Sequence, residues 1–435
     1  MEKRIDRATI FAFLAVLALC VAAGVALVLP LLVGFALFFV RGLSKGVSPK
    51  RLAKASADGV WASRWVIVVL LVIGMMTALW RSSGTVALLV TALEPLFVPI
   101  CLPLMSFVLC AVVSMLMGTA FGTAATAGCA CMVICDSCGG NAVMVAGAVL
   151  AGSYFGDRCS PVSSSALLVA QLTGTDNLKN IAPMLKSVVV PTVISLVVYA
   201  LLGVAWPGAE GVAVISYDIY FDLSVWVALP ALSVVVLALA KVPTVANIAV
   251  STLLALALTV VAQGASIQEA LQWAVLGYEA PSQIASMAGG GLVSMVSAVL
   301  VIAVASTYSG LMSEIRLLEG VDCVIDGACS KMGAFATTAV VSLVTSMLAC
   351  NQTLGILLTH QTMKSHYAKK EATMLDLEDS VVLMAPLVPW SIAGLVPLAI
   401  LSSGVQSIPF AVFLYAVPLW RLVQARFSKD QASIE

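Results

Sequence analysis

The chain has 435 residues, of which 61% are hydrophobic and only 10% are charged. A water-soluble domain is about 45–50% apolar and about 25% charged, so this composition excludes a soluble protein and indicates a chain that lies mostly in lipid. There are 22 lysines and arginines and 22 aspartates and glutamates. The zero net charge excludes the basic surface that nucleic-acid binding requires.

The N-terminal apolar run covers residues 8–40 and follows a short charged segment. It is longer than the hydrophobic part of a signal peptide and lacks a small-residue cleavage site, so it predicts a retained membrane element. Because the run is too long for one upright span, we expect a break near Gly24 and Pro30. The next loop, residues 41–54, is the most basic of the chain, which predicts a cytoplasmic position.

Further apolar segments recur to the end of the chain, and basic residues after the last one predict a cytoplasmic C-terminus. We expect about 10 to 12 transmembrane helices, and no soluble domain of useful size remains between them. The sequence therefore predicts an all-α polytopic membrane protein. The apolar segments lie near 61–80, 98–117, 141–156, 184–206, 221–240, 243–263, 290–313, 333–350, 380–402 and 405–424.

The first interruption of the apolar pattern lies at residues 118–128, where three glycines and three threonines occur together. Glycines permit an unwound backbone, and threonine hydroxyls with freed carbonyls can coordinate a cation or a small polar substrate. We therefore expect Thr119, Thr123 and Thr126 to line a binding site. The alternative is close helix packing, since two of these glycines form a small-xxx-small pair.

The second interruption ends a helix of small residues that begins near Ala146. Asp157 and Arg158 close this helix, and a proline and a run of serines follow. A carboxylate at the end of a broken intramembrane helix is costly and is a candidate ion or proton site. We expect Asp157, Ser160 and Ser164 to belong to that site. The alternative is that Asp157 and Arg158 neutralise each other at the water boundary.

The third interruption places two adjacent acids, Glu378 and Asp379, at the start of an apolar segment that two prolines then disrupt. In the preceding apolar segment, Asn351 and Thr353 break the pattern in a similar way. We expect these four residues to form the second part of the site. The alternative for the two acids is a solvated loop end, because lysines lie close by.

Corresponding interruptions in two parts of a chain are typical of transporters built from repeats around a site at the bilayer midplane. The sequence therefore predicts two transmembrane halves, residues 1–210 and residues 211–435. We expect the discontinuous helices of both halves to meet near the midplane.

Four of the 11 cysteines lie close together. Their spacing is not that of two C-x-x-C pairs separated by a loop, so small buried packing residues are the preferred interpretation over a zinc site. No resident metal or cofactor is expected beyond a transported Na⁺. The four are Cys129, Cys131, Cys135 and Cys138.

Together these interruptions resemble the motifs of the NhaC family of sodium/proton antiporters, within the ion-transporter superfamily. The string at residues 118–128 is similar to the Gly-Thr-rich motif of that family. Residues 146–161 resemble its small-residue helix ending in Gly-Asp and Ser-Pro. Glu378-Asp379-Ser380 with Pro389-Trp390 resembles its acidic motif followed by Pro-Trp. The related sequence covers about Trp80 to Gly203 and Gly289 to Leu419.

The resemblance implies a secondary active transporter that exchanges sodium or another monovalent cation for protons by alternating access, without ATP. It implies that Asp157 is the ion-linked carboxylate and that Glu378 and Asp379 are its partners. It also implies a multi-pass protein of a prokaryotic inner membrane, with lipid, the cation and protons as its partners. Homo-oligomerisation stays open.

Three departures from the family pattern leave other functions open. Ser164 stands where the family usually has an acid, Ser391 stands where it has an Asn, and an acid is common near Asn351. Because a desolvated cation needs formal negative charge, the alternative is a Na⁺- or H⁺-coupled exchanger of a small organic acid or amino acid. A channel or an intramembrane enzyme is a more remote alternative. No metalloprotease motif supports an enzyme, and no phosphate-binding motif supports the use of ATP.

Overall fold

The computed structural model describes residues 9–10, 12–13, 15–17, 19–20, 23, 25–93, 101–137, 139–206, 216–240, 242–315 and 322–432. Gly24, Cys138 and the predicted boundary at residues 210 and 211 lie outside these residues. Within them, regular structure is helical, and the single strand-like feature is an isolated bridge between Tyr278 and Gly289. The predicted all-α fold is confirmed.

The helices are numbered here in chain order, and short 3-10 turns are left unnumbered. They are α1 (Val28–Ser44), α2 (Pro49–Ala62), α3 (Arg64–Ser82), α4 (Thr85–Leu93), α5 (Leu102–Met117), α6 (120–137), α7 (Ala142–Cys159), α8 (Ser164–Thr173), α9 (Asn177–Ala205), α10 (Leu229–Leu239), α11 (Thr244–Val261), α12 (Ile267–Leu276), α13 (Val296–Ile315), α14 (Asp322–Met332), α15 (Ala334–Ala349), α16 (Gln352–Met363), α17 (Lys370–Glu378), α18 (Val381–Met384), α19 (Ile392–Ile400) and α20 (Val412–Ala432).

Many of the apolar helices are short. In the described part of the chain, three helical segments are long and apolar enough to cross a membrane. One further pair, Lys370–Leu387 and Ile392–Ile400, passes the same test together and is bent by 55° at its break. Seven other apolar helices have 10–17 residues. The chain is thus a polytopic membrane protein in which polar interruptions divide several apolar segments.

Small residues bring α5 and α7 into close contact. A Cβ atom on Gly152 would lie 2.5 Å from the Phe107 carbonyl oxygen, and one on Gly156 would overlap the Ser114 backbone. The Ser114 hydroxyl donates to the Ser153 carbonyl oxygen across this interface. Helices without large side chains can approach this closely. The contact fixes the end of α7, where Asp157 lies.

Two breaks in different halves of the chain have nearly the same backbone conformation. After α5, Gly118 is left-handed (φ 67°) and Thr119 is extended (φ −140°, ψ 129°). After α15, Cys350 is left-handed (φ 54°) and Asn351 is extended (φ −147°, ψ 132°). In both breaks the extended residue caps the next helix with its side chain. The same local device therefore interrupts both apolar segments.

An apolar cluster packs α8 against α17 and α18. Ala166 and Val169 of α8 contribute to it together with Met374, Leu377 and Val381, all of which are buried. Burial of this apolar surface holds the start of α8 beside the end of α17. The serines that precede and begin α8 thereby lie in the same region as the acids that end α17.

Candidate functional site

The interruption at the end of α7 meets two later breaks of the chain in one buried region that is rich in charge. It lies where the end of α7 and the start of α8 approach the break before α16 and the break after α17. A charged residue inside the membrane requires a compensating partner, so the pairing of these groups decides which of them can act. The charged side chains are Asp157, Asp376, Glu378, Asp379, Arg158 and Arg421.

Arg158 is fully buried and uses all of its hydrogen-bond donors. A guanidinium has five N–H groups, and each of them has a partner here. Arg158 therefore pairs with Asp379 of the other half rather than with its sequence neighbour Asp157. Its Nε donates to the Glu378 carbonyl oxygen (3.2 Å), Nη1 to the Met184 carbonyl oxygen (2.9 Å) and to Cys159 Sγ (3.1 Å), and Nη2 to Ser187 Oγ (2.8 Å) and to Asp379 Oδ1 (2.5 Å).

Arg421 of α20 is bound to a second acid. Its Nε and Nη2 donate to Asp376 Oδ1 at 3.0 and 2.9 Å, and its Nε lies 3.8 Å from Asp379 Oδ2. The Tyr367 hydroxyl donates to the other oxygen of Asp376 at 2.9 Å. Asp376 and Asp379 therefore each have an arginine partner. Neither Arg421 nor Asp376 is among the residues that the sequence predicts for the site.

Asp157 is 5% exposed and is held by neutral donors. Ser165 donates to its Oδ2 at 3.0 Å, Ser163 donates to its Oδ1 at 3.4 Å, and Gln352 Nε2 donates to its Oδ2 at 3.3 Å. None of the ion pairs formed by the described residues includes Asp157. In the described part of the chain its carboxylate is thus hydrogen-bonded to neutral groups alone.

Glu378 is 1% exposed, and its Oε2 atom has no hydrogen-bond partner among the described residues. The neighbouring guanidinium of Arg158 binds the backbone carbonyl of Glu378 and the side chain of Asp379. Burying an unpaired carboxylate costs far more than burying a neutral group. Asp157 and Glu378 are therefore the two carboxylates of this region that form no ion pair within the described residues.

The predicted hydroxyl ligands of the first half bind backbone atoms. Thr123 donates to the Thr119 carbonyl oxygen at 2.9 Å, and Thr126, within a π-helical turn at Ala124–Gly128, donates to the Gly122 carbonyl oxygen at 2.8 Å. Ser160 donates to the Met115 carbonyl oxygen at 2.8 Å. None of these three hydroxyls is hydrogen-bonded to Asp157 within the described residues.

In the second half, the predicted pair Asn351 and Thr353 forms the cap of α16. The Asn351 side chain accepts from the Thr353 amide at 2.9 Å, and the Thr353 side chain is exposed. The residue between them, Gln352, reaches Asp157 and also donates to the Val382 carbonyl oxygen at 3.0 Å. Gln352 lies between two predicted site residues, and this position is the signal that the sequence offered. The direction of its side chain depends on the residue at which α16 begins, which the sequence does not give.

Thr119 and Ser164 lie on a separate cavity of about 310 Å³. Its walls are the end of α5, the start of α6, the loop into α8 and the hairpin formed by α10 and α11. Most of the lining is apolar, and Asn247 of α11 is a further polar residue on it. The lining residues are Met117, Thr119, Gly122, Pro161, Val162, Ser164, Leu167, Val234, Ala238, Val242, Pro243, Asn247 and Ile248.

The sequence matches the family model described as the Na⁺/H⁺ antiporter family over residues 5–177 and 152–423. It is 27% identical over 402 residues to the malate-2H⁺/Na⁺-lactate antiporter of Bacillus subtilis, covering 89% of this chain and 86% of that protein. It is 28% identical over 414 residues to the Na⁺/H⁺ antiporter NhaC of Alkalihalophilus pseudofirmus, covering 91% and 89%. It is also 27% identical over 355 residues to the arginine/ornithine antiporter ArcD of Halobacterium salinarum, covering 75% and 71%.

Proposed function

Because the chain belongs to the Na⁺/H⁺ antiporter family, we propose that it exchanges a monovalent cation for protons and that Asp157 and Glu378 bind both. This is secondary active transport, in which the gradient of one ion drives the other. The assignment of Asp157 and Glu378 rests on which acids of the region form ion pairs with arginines. Both arginines of the region form ion pairs with other acids, and neither Asp157 nor Glu378 forms an ion pair within the described residues.

Competition for the same carboxylates couples the two ions. A proton and a cation each neutralise a buried carboxylate, so occupancy by one disfavours occupancy by the other. The Ser163 and Ser165 hydroxyls and the Gln352 amide keep the Asp157 oxygens oriented in either state. Exchange then requires no ATP.

The position of the acids between the halves supports alternating access. Gln352 from the second half reaches Asp157, and Arg158 from the first half reaches Asp379. A relative movement of the proposed halves, residues 1–210 and 211–435, would change the surroundings of both acids together. Discontinuous helices at a shared site are the usual basis of such movement.

The proposal includes an orientation in the membrane. We place the basic loop at residues 41–54 and the C-terminal end of α20 on the cytoplasmic side, following the positive-inside rule. Both termini then lie in the cytoplasm of a prokaryotic cell, and the protein lies in its inner membrane. In this orientation the exchanger would move sodium out of the cytoplasm in return for external protons.

The test uses purified protein in proteoliposomes with an internal pH dye, to which Na⁺, Li⁺ or K⁺ is added outside. We expect at least one cation to change the internal pH in wild type and the change to be lost in Asp157→Asn. Asp58→Asn, on an exposed position of α2, is the matched control and should retain the response. A wild-type protein that is folded and responds to none of the cations would refute cation/proton exchange.

A second candidate function is exchange of a small organic acid or amino acid. Two relatives are named as exchangers of organic acids or amino acids, and the cavity of about 310 Å³ beside Thr119 and Ser164 has the size for such a solute. In this second function, movement of the solute would be coupled to the protons that bind Asp157.

A further inference from the structure

We infer that the Arg158–Asp379 ion pair is a latch between the two proposed halves that opens during transport, and that Arg421 becomes the partner of Asp379 when it opens. The inference rests on the proposed function because it assumes alternating access of the two halves. It assigns a role to Arg421, which takes no part in the binding of ions at Asp157 and Glu378.

Arg158 has most of its hydrogen-bond partners within its own half. Of the five hydrogen bonds that it donates, three stay within residues 1–210 and two cross to the second half. A buried donor that loses its acceptor is costly. Because separation of the halves would leave three of the bonds in place, the guanidinium is held on both sides of the movement. The partners in the first half are Cys159 Sγ, the Met184 carbonyl oxygen and Ser187 Oγ, and those in the second half are the Glu378 carbonyl oxygen and Asp379 Oδ1.

Asp379 has a second arginine close to it in its own half. Its Oδ1 atom accepts from Arg158 and Ser187 of the first half, whereas its Oδ2 atom is buried and has no hydrogen-bond partner among the described residues. Arg421 Nε lies 3.8 Å from that Oδ2 atom. A shift of roughly 1 Å would bring the two atoms to the distance of a charge-assisted hydrogen bond, about 2.8 Å. The Arg421 side chain is 27% exposed, so it has room for this movement.

Asp376 holds Arg421 away from Asp379 in the closed arrangement. Arg421 Nε and Nη2 both donate to Asp376 Oδ1. Asp376 of α17 and Asp379, the C-cap of that helix, lie one turn apart on the same face. Arg421 can therefore move its Nε bond to Asp379 while its Nη2 atom still binds Asp376. The Asp379 carboxylate then keeps a countercharge when Arg158 leaves it, although the loss of one bond to Asp376 makes the open arrangement the less stable one.

The contact between Gln352 and Asp157 also crosses between the proposed halves and is built in the same way. If it opens, Gln352 keeps its hydrogen bond to the Val382 carbonyl oxygen in the second half. Asp157 keeps its hydrogen bonds from Ser163 and Ser165 in the first half. Both contacts can therefore open while each of the four side chains keeps a partner in its own half, which is what a reversible movement at a buried polar site requires.

Cys159 can report the opening of the latch. Its side chain is fully buried, and its sulfur accepts a hydrogen bond from Arg158, so its alkylation requires that the surroundings of Arg158 open. The experiment incubates the purified full-length protein in detergent with N-ethylmaleimide and follows alkylation of the Cys159 peptide by mass spectrometry. Cys110 is the internal control, because it is also fully buried but packs against Gly152 within the first half.

Removing Asp376 alone and removing it together with Arg421 should change the alkylation rate in opposite directions. In Asp376→Asn, Arg421 competes with Arg158 for Asp379, so we expect Cys159 to be alkylated at least threefold faster than in wild type. In the double variant Asp376→Asn/Arg421→Gln, Asp379 depends on Arg158 alone, so we expect alkylation at least threefold slower than in wild type. The rate at Cys110 should be that of wild type in both variants.

A purely structural Asp376–Arg421 pair would give a different pattern. Asp376→Asn would then loosen the fold by leaving Arg421 without its carboxylate, and the double variant would return the Cys159 rate to that of wild type because neither charge remains. A double variant that is alkylated as fast as wild type or faster would therefore overturn the latch. Faster alkylation of Cys110 in step with Cys159 would overturn it too, since it would indicate unfolding rather than opening.

The alkylation rates separate this inference from the proposed function, because they require no transported ion. The expected rates without cation-driven pH changes in proteoliposomes would refute cation exchange alone. Cation-driven pH changes together with equal Cys159 rates in wild type and both variants would refute the latch alone.

Discussion

The Nη2 atom of Arg158 lies 2.5 Å from the Oδ1 atom of Asp379, and neither side chain is exposed. Each residue directly follows one of the two unpaired carboxylates, Asp157 and Glu378. The pair therefore fixes the end of α7 relative to the end of α17. Because desolvation offsets much of the attraction in a buried ion pair, its main effect is to specify this arrangement rather than to add net stability.

Breaking the Arg158–Asp379 pair should be strongly destabilising. Arg158→Met leaves Asp379 buried with Arg421 no nearer than 3.8 Å, and loss of one partner of a buried pair costs about 3–5 kcal/mol. The double variant Arg158→Met/Asp379→Leu should recover much of that loss because the carboxylate that Arg158 balanced is also removed. Unfolding of the purified protein in detergent, followed by tryptophan fluorescence, measures both effects.

The pair of Arg51 and Glu314 is the control for this prediction. Its atoms are also 2.5 Å apart, but the Arg51 side chain is 71% exposed. Since exposed pairs contribute about 0–1 kcal/mol, Arg51→Gln should have little effect on unfolding. Equal effects of Arg158→Met and Arg51→Gln would mean that burial of the Arg158 pair does not matter.

Glu378→Gln should reduce transport without lowering the stability of the protein. The substitution keeps the shape of the side chain, and Glu378 Oε2 has no hydrogen-bond partner to lose within the described residues. Removing an unpaired buried carboxylate should leave the unfolding temperature unchanged or raise it, while cation-driven proton movement in proteoliposomes falls at least tenfold. Glu371→Gln, on the exposed start of α17, should change neither. Wild-type transport by Glu378→Gln would exclude Glu378 from the ion path.

The positions of the breaks could be predicted from the sequence because they depend on local chemistry. Glycine, proline and polar residues within apolar segments change backbone preference over a few residues, and the structure has breaks after Met117, after Ala349 and after Glu378. The fold class followed from the apolar composition and from the recurrence of apolar segments along the chain. The extended conformations of Thr119 and Asn351 agree with the expectation of an unwound backbone.

The partners of the charged groups could not be predicted in the same way, because they depend on which helices meet. Arg158 is adjacent to Asp157 in sequence but binds Asp379, 221 positions away. Asp376 was not singled out, although it binds Arg421 from the last helix. Asp157 accepts hydrogen bonds from Ser163 and Ser165 and not from Ser164. The residue at which α8 begins determines the direction of each serine side chain, and the sequence did not give that residue.

Gln352, rather than the predicted Thr353, should affect cation binding. Gln352 donates to Asp157 and to the Val382 carbonyl oxygen, whereas Thr353 contributes only its amide to the helix cap. We expect Gln352→Leu to raise the cation KM of proton exchange several-fold, because the Asp157 oxygen loses a donor that orients it. Thr353→Val should leave the KM at its wild-type value. If Thr353→Val raises the KM as much as Gln352→Leu, the original sequence expectation for Thr353 is right.

The two left-handed residues at the breaks should respond differently to substitution. Gly118→Ala places a Cβ atom 2.7 Å from a Val162 side-chain atom and 2.9 Å from the Ser163 amide nitrogen, and the left-handed backbone itself costs an alanine about 1–2 kcal/mol. Cys350→Gly relieves a similar strain but removes a fully buried side chain, so the two effects nearly cancel. We expect Gly118→Ala to lower the unfolding temperature clearly and Cys350→Gly to change it little. Cys350→Val should be as harmful as Gly118→Ala, because β-branched residues are poorly tolerated at positive φ. If Cys350→Val unfolds at the wild-type temperature, the left-handed conformation is not essential to the second break.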